Sequence, residues 1–162
     1  MAVPHLAGQD VHAWTDQGQL GPFTVGVTGD VDLGLDVTHA IVGLFDETHE
    51  FETLDIQAPA PDGSSLGRRK RIHQGAGLKV HRTVDGRVRT VSRDMGASER
   101  TNGAMPIVKR PVASDRLDAF SGTTHIEVTC GYADEVALRF TPEGGAPMTV
   151  TAMNIPVEEE GA

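Results

Sequence analysis

The sequence predicts an all-β fold, either an antiparallel β-sandwich or a small β-barrel, with an N-terminal arm and a long loop. Three observations carry this. Apolar residues alternate from Phe23 through Val25, Val27, Val31, Leu33, Leu35 and Val37 to Ile41, with Thr, Gly and Asp on the other parity, the period of a half-buried strand. Two β-branched runs flank Asp85-Gly86, a favoured pair for a tight hairpin turn. Strand-like runs THIEVTC, EVALRFTP and PMTVTAMNI follow one another with Gly-containing connections. The 19 glycines and 9 prolines argue for many turns and few long helices. About eight strands suit such a chain.

The elements are expected in this order. Residues 1–22 form an irregular Gly/Pro-containing arm that carries Trp14, the only tryptophan. Residues 23–157 form a single β domain, and 158–162 an acidic tail in solvent. The alternation over 23–41 is too long for one ordinary strand, so strands near 22–28 and 31–43 are expected, bent at Gly29 and Gly34. Residues 50–58 suggest a short strand and 59–67 a turn-rich loop. Residues 77–93 should form a basic hairpin. The stretch 94–122 reads as a long loop with a short strand near 105–110 and a helical turn near 114–119. Residues 124–156 read as a three-strand meander.

Charge is sorted along the chain. Residues 1–67 hold eleven Asp or Glu and no Lys or Arg, giving −11. Residues 68–116 sum to +9, and 117–162 to −7. Most surfaces intersperse both signs. A chain so polarised folds back on itself, docks copies head to tail, or grips a polyanion. The first two uses are expected of Arg87, Arg89 and Arg93, which share one strand face; at least one of them should meet acids from 30–62 or from another copy. Arg82 is placed across the hairpin from Arg89. Nucleic acid is a weak partner for this patch, because no aromatic residue lies between Phe51 and Phe120 to stack on bases.

Other constellations are weaker. Asp30, Asp32 and Asp36 share a parity but lack the ligand spacing of a calcium loop, so no metal site is expected there. No cofactor motif is present. The 7 histidines include no zinc-binding spacing. His39 lies on the apolar parity and would face inward, near Glu50 or His81, if the sheet closed into a barrel. Cys130, the only cysteine, reads as a core thiol. The first residues lack the basic and apolar regions of a secretory leader, and no apolar run is long enough to span a membrane. Synthesis and residence in the cytoplasm are expected, or departure as part of a virion.

These readings favour a non-catalytic structural subunit of a larger assembly, of virion or phage type, with other copies or other assembly proteins as partners and no catalytic residues. Its interface residues would be Trp14, buried against a second subunit, with Arg82, Arg87, Arg89 and Arg93. Two alternatives stand beside it. One is a small β-barrel enzyme, of cyclase or isomerase type, with a pocket of His39, Glu50 and His81. The other is a module binding anionic ligands through the basic hairpin.

Overall fold

The structure, a computed structural model, describes residues 1–44, 49–56, 68–109, 119–142 and 145–161. Among them the chain is all-β, with several antiparallel sheets packing together and one short 3-10 turn at Pro4–Leu6. Each sheet has open ends, so no barrel closes among the described strands.

The N-terminal residues are not an irregular arm. β1 (Asp10–Thr15) and β2 (Gly18–Thr24) form a hairpin, and β3 (Ala40–Gly43) pairs with the other edge of β1. The turn is built locally: the Thr15 hydroxyl donates to the Gly18 carbonyl at 2.8 Å and accepts from the Gln17 N–H at 3.1 Å. As the central strand, β1 is covered on both faces. Val11 joins Val25 and Val31 in a small core with Val3, Leu6, Phe23, Leu33 and Val42. Trp14 packs instead with Val84 and Ala146.

The long alternation after Phe23 does not make two strands. Between β2 and β3 the backbone folds into turns. The Gly29 N–H reaches the Gly26 carbonyl at 2.8 Å, and Gly29 and Gly34 sit at φ of 88° and 69°, conformations that favour glycine. Asp32 accepts the Gly34 N–H at 2.9 Å, a local aspartate turn that competes with strand pairing. The chain start occupies the freed backbone: Val31 N–H donates to the Met1 carbonyl and Val3 N–H to that of Gly29.

The main core joins two larger sheets. One has the order β10 (Phe120–Ile126), β6 (Ala76–Thr83), β12 (Val150–Asn154). The other runs β4 (Phe51–Glu52), β11 (Glu135–Thr141), β7 (Arg87–Arg93), β8 (Arg100–Thr101), with β9 (Met105–Pro106) also on β7. Leu78, Val80 and Ile126 from the first meet Val88, Val136, Leu138 and Phe140 from the second, all buried. Phe51 stacks on Phe140 with ring centres 4.7 Å apart.

Two topological expectations are overturned. β6 and β7 do not pair with each other. Their connection crosses from one sheet to the other, and its polar groups are taken by third parties: Val84 N–H donates to the Pro147 carbonyl, and Ile107 N–H to that of Gly86. A Cβ on Gly86 would lie 2.4 Å from Met148 Sδ, so this turn is packed inside rather than projecting. The meander over 124–156 also fails, because β10 and β12 flank β6 while β11 lies in the other sheet. Alternation defines an inner face but not the sheet that supplies it, and both sheets face one core. The short strand near 105–110 appears as β9; the helical turn near 114–119 falls largely outside the described residues.

The C-terminus completes the fold. β13 (Val157–Glu159) pairs antiparallel with β5 (Lys70–Ile72), matching Val157 to Ile72, Glu158 to Arg71 and Glu159 to Lys70. The acidic end expected free in solvent is a strand laid on the most basic stretch of the chain.

Candidate functional site

The segregated charges meet in two clusters and one buried pair. The first cluster covers the outer face of the five-stranded sheet. Register places Arg139 of β11 directly opposite Arg89 of β7, a repulsive arrangement by itself. Three glutamates from flanking segments relieve it. Glu50 contacts Arg89 and stands 3.7 Å from Arg139 Nε. Glu52 takes Arg93 as a two-point fork at 2.6 and 3.0 Å and also accepts from Arg139 at 2.7 and 2.9 Å. Glu99 joins the same two arginines at 2.7 and 2.8 Å. Beneath this lattice Val91 and Ala137 are buried although their parity points outward. The long side chains roof over apolar surface while their heads stay paired.

The electrostatics follow. Hydrogen bonds from Arg93, then from Arg139, hold the Glu52 carboxyl below its ordinary range against partial burial. Arg139, then Arg93, does the same for Glu99. The Arg93 and Arg139 guanidiniums are held correspondingly more firmly charged, by Glu52 first and by Glu99 first.

The second cluster lies along β5 and β13. Glu158 meets Arg71 at 2.8 Å, Glu159 meets Arg68 at 3.5 Å and Glu160 meets Arg69 at 3.5 Å. The Tyr132 hydroxyl donates to Glu158 at 3.1 Å, and its ring lies 4.7 Å below the Arg71 guanidinium. Arg69 and Arg100 share Asp94 at 3.3 and 2.8 Å. The Arg71 hydrogen bond, then that from Tyr132, lowers the Glu158 pKa.

Between the clusters Lys70 is buried, and its ammonium meets Asp55 at 2.6 Å. The other Asp55 oxygen accepts the Val136 N–H at 2.8 Å.

The residues singled out from sequence separate accordingly. Arg89 and Arg93 meet acids of the 30–62 segment. Arg82 does not face Arg89: it sits in a bulge of β6 at φ 46°, exposed, with its N–H on Ser121 Oγ. Trp14 is buried by its own chain, so its burial needs no partner subunit. The inward pocket does not form among the described residues. His39 and His81 are exposed, and Glu50 is committed to Arg89 and to the Thr141 hydroxyl. Asp30 is bonded to Thr28 and Asp32 to the Gly34 backbone. Cys130 accepts the Ile72 N–H at 3.3 Å, and burial raises its thiol pKa. Sequence reading missed Glu99, Arg139 and Lys70: Arg139 meets Glu52 and Glu99 from remote segments, Lys70 meets Asp55, and Glu99, though six residues from Arg93, reaches it only across the β7–β8 turn. The available signal was the lone Arg139 within an apolar strand.

Among the described residues, no group of three or more His, Cys, Asp or Glu is placed to hold a metal ion. Within the two clusters the charges neutralise one another. Among the described residues, several apolar side chains also stand open. Val27, Leu35, Ile41 and Leu44 are 95, 40, 48 and 55% exposed. No protein-family model matches the chain, and no curated protein matches it.

Proposed function

We propose that this protein is a non-catalytic structural subunit of a larger protein assembly, of the kind that builds virions and phage particles. Its two larger sheets are read as a β-sandwich serving as a rigid block. One observation carries the reading: the segment after β2 has the apolar content of a buried element, yet Val27, Leu35, Ile41 and Leu44 stay exposed. Ile41 lies on β3, which among the described residues pairs only with β1. An open strand edge beside unburied apolar side chains invites pairing with another chain. The two alternatives have less support. An enzyme pocket lacks inward His39 and His81, and an anion-binding module would find Arg89 and Arg93 already neutralised.

The test is sedimentation of the full chain beside the Ile41→Lys, Leu44→Lys double variant. The expected outcome is a multimer for the natural sequence and a smaller particle of unchanged melting temperature for the variant. A natural chain that sediments as a 17.2 kDa monomer at all concentrations would contradict the reading.

A further inference from the structure

β5 carries an acidic extended segment, β13 of the same chain, along its edge. From Val157 to Gly161 no residue of the C-terminal segment is fully buried. It is fixed by backbone pairing, by the Glu160 N–H on the Arg69 carbonyl at 2.8 Å, by the three ion pairs to Arg68, Arg69 and Arg71, and by the Tyr132 hydroxyl and the His73 ring on Glu158 at 3.1 and 3.4 Å. These arginine side chains are 50, 43 and 37% exposed, and exposed ion pairs add little stability. The chain reaches this position from a different sheet. β12 ends at Asn154 beside β6, and only Ile155 and Pro156 separate it from β13. Proline fixes its own backbone angle and favours an extended path. A connection of two residues between strands of different sheets is too short to fold back on itself, and exchange of an element between copies needs a change only in such a connection.

We infer that in the assembled protein the acidic C-terminal strand of one copy occupies the basic β5 edge of a second copy. This rests on the assembly reading above and names a contact for it. The exchange keeps every partner: Glu158 on Arg71, Glu159 on Arg68 and Glu160 on Arg69, with the same antiparallel register. Only the connection across Ile155-Pro156 differs. Charge complementarity selects the occupant, because the segment that fits three arginines in this register is the chain's own acidic end. At the local concentration inside an assembly, a neighbour's strand competes with the attached one.

The experiment places Arg71→Cys and Glu158→Cys together in a Cys130→Ala background, since residues 71 and 158 are register partners. After oxidation under native conditions, the chains are separated in denaturing gels without reductant. Exchange gives covalent dimers and higher multimers. A disulfide found only within monomers, from a sample whose native mass is multimeric, overturns the exchange and leaves the assembly reading intact. A native mass equal to the monomer overturns both. A second pair of variants guards against misfolding of the cysteine chain: Arg68→Glu, Arg69→Glu, Arg71→Glu in one and Glu158→Arg, Glu159→Arg, Glu160→Arg in the other. Each alone should lose mass and the mixture should regain it. Either variant assembling alone as the natural chain does would overturn the exchange.

Discussion

The roof over β7 and β11 and the seam between β5 and β13 use the same chemistry, arginine against glutamate, with different consequences. In the roof each carboxylate serves two guanidiniums, and the side chains of Glu52, Glu99, Arg93 and Arg139 are 18–35% exposed. In the seam the glutamates of β13 and the residue after it each meet one arginine, and those arginines are more exposed. Shared, half-shielded charges lock a sheet together, while glutamates that each meet one more exposed arginine, with Tyr132 and His73 also on Glu158, set register at smaller cost to opening. The same sorted charge therefore gives a shared, shielded face and, on the exchange proposed above, a releasable edge.

The sharpest way to break this contrast lies between the two regions, at the buried Lys70–Asp55 pair. Asp55→Ala leaves a buried ammonium and an unsatisfied Val136 N–H, and is expected to cost about 3 kcal/mol. Thermal melting should show it as a fall of roughly 10 °C. An unchanged melting temperature would mean that Lys70 finds water in the folded state.

Next comes the roof. Glu52→Gln removes the partner shared by Arg93 and Arg139 and should cost about 2 kcal/mol. Acidity provides the matching test. The folded pKa of Glu52 and Glu99 lies below the ordinary 4.5, so the unfolded chain binds more protons between the two values. Their contribution is fully present above 4.5 and fades as pH falls through the folded values. Melting temperature followed against pH should drop below that point, and Glu52→Gln should drop less steeply. Parallel curves would show that the roof contributes nothing to acid sensitivity.

The seam should give the smallest effect. Glu159→Gln removes one exposed-partner ion pair and should change stability by less than about 0.5 kcal/mol. It should still speed hydrogen exchange of the β5 and β13 amides relative to those of β7 and β11. Equal exchange in both regions would erase the distinction between a fixed face and a releasable edge.

The sequence made the β class readable, along with the inner faces of β7 and β11 and the meeting of basic and acidic segments, because these depend on period and net charge. It did not reveal which sheet each strand joins. Val80 and Val88 alternate in the same way whether their strands pair or face each other across a core. The Asp85-Gly86 pair suggested a projecting turn, but Met148 and Ile107 cover it, and they come from remote segments. The alternation over 23–41 misled because its aspartates and glycines bond locally, as Asp32 does with Gly34. The hairpin of β1 and β2 was hidden for the opposite reason: with Val11 and Trp14 both buried, β1 has no polar face to mark its period. The C-terminal strand was disguised by composition, since a run of glutamates reads as solvated until its basic partner is in place.

The most direct measurement is the native mass of the full chain by analytical ultracentrifugation, first in low and then in high salt. A subunit joined through charged strand exchange should sediment as a multiple of 17.2 kDa in low salt and shift toward smaller species as salt screens the seam. A monomer whose mass does not respond to salt would contradict the account.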